Sequence, residues 1–98
     1  MTEFTIQVGD EVTVLDLDEF FPCRAGKWDY LIIFIKNSPH DQMIAASEFL
    51  CEYCNKRRRK ALRDAKKQTN SNKRKHFEAQ ARWFERKVKI LERLIYTA

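Results

Sequence analysis

The chain has 98 residues, of which 44% are hydrophobic and 34% charged, and its net charge is +5. That length predicts a single domain, residues 1–98, and the absence of an 18-residue apolar run excludes a membrane-spanning helix. With only two glycines, a glycine-rich phosphate-binding loop is excluded as well. The first residues lack the basic and apolar segments of a signal peptide, so a cytoplasmic protein is expected.

The first 37 residues are predicted to form a small antiparallel sheet of about three strands. Residues 4–8 alternate apolar and polar side chains, the pattern of a half-buried strand. After a turn at residues 9–10, a second strand follows at 11–17, and its alternation breaks near Asp16. Residues 28–36 are apolar on both alternating faces, which is typical of a strand covered on both sides. This segment is predicted as the third strand.

Residues 38–98 are predicted to form two long helices joined by a short polar turn. After Pro39, residues 40–68 contain neither glycine nor proline. Apolar residues recur there at helical spacing, with Arg57 as the charged exception. A polar break at 69–72 precedes a second helix at about 73–96. Apolar residues of this helix repeat in steps of four and three, the seam of a coiled-coil contact. They are Phe77, Ala81, Phe84, Val88, Leu91 and Ile95.

The expected fold class is therefore α+β, with the sheet followed by a long antiparallel two-helix hairpin. Its charge is unevenly divided: residues 1–40 hold three basic and seven acidic side chains, a net charge of −4, and residues 41–98 hold 16 and 7, a net charge of +9. Residues 55–75, at the predicted turn of the hairpin, hold eleven basic side chains and one acid, Asp64. We call this segment the basic tip. Its cations are Lys56, Arg57, Arg58, Arg59, Lys60, Arg63, Lys66, Lys67, Lys73, Arg74 and Lys75.

Such a cluster is typical of a surface that binds a polyanion. Residues 73–75 lie at the start of the second helix, where the helix dipole favours carboxylates over cations. A phosphate placed there would accept hydrogen bonds from the backbone N–H groups of the first helical turn. We therefore expect the basic tip to contact nucleic acid or a nucleoprotein complex, without strong sequence preference.

Two alternatives stay open for the same cations. One is docking onto an acidic protein surface. The chain would then be a small regulator or inhibitor, of the compact kind that viruses and mobile elements encode, that docks on a larger host protein, including one that itself handles nucleic acid. The other is a solvated helical face without a partner.

No catalytic residue, metal or cofactor is predicted. Cys51 and Cys54 have a spacing found in zinc sites, but His40 and His76 lie about 15 Å or more away along the helices, so four ligands do not meet. The two cysteines are expected to be small core residues of a reduced protein. A small sheet with a hairpin also offers little volume for a pocket. The chain is therefore predicted to be a binding module and not an enzyme.

A homodimer is a further expectation. Residues 28–36, as a strand with two apolar faces, would need cover on both. In the second helix, Trp83, Ile90 and Leu94 widen the apolar stripe beyond the seam, which favours contact with a second surface. A second copy of the chain would supply either contact.

Overall fold

The computed structural model describes residues 2–8 and 10–97, which form two strands and four helices. In chain order these are β1 (Glu3–Val8), β2 (Glu11–Asp16), α1 (Leu17–Phe20), α2 (Ala25–Lys36), α3 (His40–Lys67) and α4 (Ser71–Thr97). The chain divides into two compact units, Met1–Met43 and Ile44–Ala98. The single domain expected from the length stays a prediction. No helix in the described part of the chain is long and apolar enough to cross a membrane.

The first unit contains a two-stranded antiparallel sheet, as predicted for its first two strands. Phe4 pairs with Leu15 and Ile6 with Thr13, so these four side chains share one face of the sheet. The second strand ends at Asp16, where the alternation of the sequence breaks. There the Asp16 carboxylate accepts a hydrogen bond from the backbone N–H of residue 18 at 3.1 Å and so caps α1.

The third predicted strand is wrong, because residues 28–36 belong to the helix α2. The side chains that α2 buries follow one helical face in steps of three, one and three, and strand alternation would give steps of two. They are Trp28, Leu31, Ile32 and Ile35. The opposite side of the helix exposes Tyr30 by 63% and Ile33 by 55%. Since the two-faced strand does not exist, the argument that a second copy covers it no longer applies, and the homodimer stays a prediction.

The first unit also contains a groove of about 660 Å³, so the expectation of little pocket volume is wrong. Its apolar lining comes from both the sheet and the helices α1 and α2. The apolar lining residues are Ile6, Leu15, Phe20, Tyr30, Leu31 and Phe34. Glu11 and Lys27 are its charged lining residues. Among the residues that the structure describes, no group of three or more histidines, cysteines or acids is placed to hold a metal ion.

The second unit is the helical hairpin that the sequence predicts. The helix α3 has 28 residues and α4 has 27, and only residues 68–70 separate them. The predicted seam is confirmed at its centre, where Ala81, Phe84, Val88 and Leu91 are buried. The buried side chains of α3 lie at the matching helical spacing: Ser47, Leu50, Tyr53, Cys54, Ala61 and Ala65. Burial of these two apolar stripes against each other is the main stabilising contribution to a helix pair.

Candidate functional site

The basic tip covers the end of α3, the turn and the first turn of α4. Nine of its eleven cations are exposed, and the other two, Arg57 and Arg58, are half-buried. The exposed cations are Lys56, Arg59, Lys60, Arg63, Lys66, Lys67, Lys73, Arg74 and Lys75. The structure therefore separates a set of predicted binding residues that the sequence treats as one cluster.

Six of the exposed cations form a single row on α3. They follow one another in steps of three and one, which keeps them on one side of α3, turned away from the seam. We call them the α3 row: Lys56, Arg59, Lys60, Arg63, Lys66 and Lys67. At 1.5 Å per residue the row is about 16 Å long. It contains no carboxylate, because Asp64, the one acid of the tip, is half-buried and lies outside it.

Arg57 belongs instead to the hairpin core. Its Nη1 donates a hydrogen bond to the hydroxyl of Tyr53 at 2.6 Å. Its guanidinium carbon lies 5.0 Å from the ring centroid of Phe84 on α4 and 5.7 Å from that of Tyr53, within the range of cation–π attraction. Arg57 is the one charged residue at the helical spacing that the apolar core residues of α3 follow, and that spacing turns its side chain toward α4.

This placement predicts that Arg57 stabilises the fold. Replacing Arg57 with alanine is expected to lower the free energy of unfolding by about 1–3 kcal/mol, because it removes a charged hydrogen bond and the contact with two rings. Arg59→Ala, in the exposed α3 row, should change it by less than about 0.5 kcal/mol. Urea denaturation followed by circular dichroism measures both. Equal losses in the two variants would contradict the assignment of Arg57 to the core.

The start of α4 differs from the expectation. The side-chain oxygen Oδ1 of Asn70 accepts hydrogen bonds from the backbone N–H groups of Asn72 at 2.9 Å and Lys73 at 3.3 Å. Asn70 is thus an N-terminal cap. These two N–H groups already have an acceptor, so the premise that they would be open to a phosphate is wrong.

Arg74 has a structural partner at the same turn. Its Nη2 donates a hydrogen bond to the carbonyl oxygen of Gln68 at 2.9 Å, just beyond the end of α3. Carbonyl groups there lie at the negative end of the α3 dipole, where a cation is stabilising. Arg74 is therefore unfavourably placed for the dipole of α4, at whose positive end it lies, but its guanidinium is favourably placed for the dipole of α3. Lys73 and Lys75 are exposed beside it.

A second row of cations lies on α4 and was missed as a binding surface. We call Lys75, Arg82, Arg86 and Lys89 the α4 row, and all four are exposed. Together with Ala79, each of these residues lies two positions before a seam residue, so the row repeats in the same steps of four and three. Two positions correspond to about half a helical turn, which places the row on the side of α4 away from α3. This offset was readable from the sequence.

The carboxylates of α4 border this row on one side, since Glu78 and Glu85 each lie three residues after one of its cations and four before another. Glu78, Glu85 and Glu92 recur every seven residues, each directly after a seam residue, so they lie along one flank of the helix. Glu92 acts on Cys51 of α3: burial raises the pKa of the Cys51 thiol, and the charge of Glu92 raises it further. A thiol held protonated in this way is a weak nucleophile.

Comparisons of the chain with protein-family models, with curated proteins and with solved structures find no match. The fold and the site define the class of molecule: an α+β protein with a helical hairpin whose two helices each carry a row of exposed cations.

Proposed function

We propose that the chain is a non-enzymatic binding module whose basic tip contacts nucleic acid, alone or in a nucleoprotein complex, through the phosphate backbone. The observation that carries this proposal is the α3 row, six exposed cations without a carboxylate along about 16 Å of helix. Along the axis of a double helix, each strand presents a phosphate about every 3.4 Å, so the row has the axial length of about five phosphates.

The surroundings of the row favour a double helix over a single strand. Binding of single strands relies on exposed aromatic rings on which bases stack. The aromatic residues nearest in sequence are not fully exposed: Tyr53 is buried beneath Arg57, and Phe77 is half-buried at the end of the seam. Contacts made by lysine and arginine to phosphates fix position and affinity and carry no base information. The expected ligand is therefore duplex backbone, DNA or RNA, of any sequence.

The test removes charge from the α3 row while keeping the helix. Arg59→Gln, Lys60→Gln and Arg63→Gln together retain good helix-forming residues. If all three contact phosphates, duplex affinity at about 0.1 M salt should fall roughly 100-fold or more, because each contact contributes about 0.9 to the logarithmic salt slope. Fluorescence anisotropy with duplex DNA and with duplex RNA measures the loss.

A matched control variant lies in the first unit. Arg24→Gln, Lys27→Gln and Lys36→Gln remove the same charge from three exposed positions, and affinity should stay within about threefold of wild type, since these cations lie outside the basic tip. Equal losses in both variants would show attraction by net charge alone. Absence of duplex binding by the wild type at low salt would reject the proposal and favour the alternative, a regulator or inhibitor that docks on an acidic surface of a larger protein.

A further inference from the structure

The two rows of cations point in opposite directions from the hairpin. The seams of α3 and α4 face each other, as the Arg57 contact with Phe84 shows. The α3 row lies on the side of its helix away from that seam, and so does the α4 row. The hairpin therefore presents positive charge at both of its outer edges.

The distance between these edges is too large for both rows of cations to bind within one groove of a single duplex. Packed helices lie about 8–10 Å apart and each is about 10–12 Å wide with its side chains, so the outer edges are about 20 Å apart. The major groove of a DNA duplex is only about 12 Å wide. The two rows do not reach the two walls of one groove.

We propose that the α4 row binds the backbone of a second double helix, so that one hairpin bridges two nucleic-acid segments. This inference rests on the proposed function of the basic tip. The α4 row spans 15 residues, from Lys75 to Lys89, or about 21 Å, a length along a duplex axis that contains about six phosphates of one strand.

The charge pattern of α4 supports a phosphate ligand on this face. All three carboxylates of the helix lie along one flank of the α4 row, so its other flank, which includes Lys87, carries none. The two edges are also electrostatically independent, since about 20 Å is twice the screening length of about 10 Å at 0.1 M salt. A duplex on the α3 row therefore does not repel a second one strongly.

The experiment measures one-duplex binding and bridging separately. Duplexes of about 20 base pairs are fixed to beads, the protein is added at about 0.1 M salt, and retention of a second, fluorescent duplex is recorded. Three proteins are compared: wild type, the variant with Arg82→Gln, Arg86→Gln and Lys89→Gln, and the control variant with Arg24→Gln, Lys27→Gln and Lys36→Gln. Circular dichroism confirms that each is folded, and anisotropy gives the affinity of each for one duplex.

Wild type and the control variant should retain the second duplex. The α4 variant should bind one duplex within about threefold of wild type and lose at least about tenfold in retention, because only the second contact is weakened. Bridging that persists in the α4 variant would overturn the inference and point to two copies of the chain joined as a dimer. A wild type that binds one duplex and retains no second one would also overturn it. A wild type that binds no duplex would instead reject the proposed function.

Discussion

Replacing Phe84 with alanine is expected to lower the free energy of unfolding by about 3–5 kcal/mol. Phe84 is fully buried at the centre of the α4 seam. Its ring contacts the guanidinium of Arg57 at 5.0 Å and the ring of Trp83, edge to face, at a centroid distance of 5.0 Å. Truncation therefore leaves a cavity and removes the ring over which Arg57 lies. Since small domains are stable by only about 5–15 kcal/mol, this loss is a large fraction of the total.

Urea denaturation followed by far-ultraviolet circular dichroism measures this effect. Leu62→Ala is the matched control, because Leu62 lies on the same hairpin and is 40% exposed. It should cost less than about 1 kcal/mol, as expected for an apolar side chain that is only partly removed from water. If the two substitutions cost the same, the two helices are not held together by the seam that contains Phe84.

The hairpin was predictable because its signals are long and local. The seam of α4 repeats over six positions, and the capping residue Asn70 lies in the polar break between the helices. A periodic stripe of this length is strong evidence for a helix, and side-chain caps mark its start. Both features depend on residues close in sequence, so no information about tertiary contacts was needed to find them.

The helix α2 was missed because its apolar run is short. Residues 28–36 are apolar at both odd and even positions, and periodicity alone does not separate a buried strand from a buried helix over so few residues. The whole element has 12 residues, longer than the usual strand of about five or six. Only the burial of Trp28 and Ile32 with Leu31 and Ile35 on one face identifies the helix.

The candidate site was predictable in composition and less so in geometry. Five consecutive cations at 56–60 cover every side of a helix, and the packing of α3 decides that Arg57 turns inward while Lys56, Arg59 and Lys60 face water. The bond from Arg74 to the Gln68 carbonyl depends on the shape of the turn. Such contacts join residues through backbone geometry that composition and periodicity do not specify.

The affinity of the chain for duplex nucleic acid is expected to fall steeply with salt. The six cations of the α3 row, with Lys73 beside them, give about six or seven possible phosphate contacts. Each contact releases condensed counterions, so affinity should drop by about 10³- to 10⁵-fold between about 50 and 200 mM salt. Anisotropy titrations at several salt concentrations give the slope of the logarithmic plot, expected between about −5 and −7.

The slope also counts the contacts that a substitution removes. In the variant with Arg59→Gln, Lys60→Gln and Arg63→Gln, the slope should become shallower by about 3, since each lost phosphate contact removes about 0.9. The control variant in the first unit should keep the wild-type slope, because its cations do not lie on the hairpin. A wild-type slope shallower than about −2 would mean that no more than two phosphates are contacted. The α3 row would then not track a backbone, and its clustering on one face would need a protein partner to explain it.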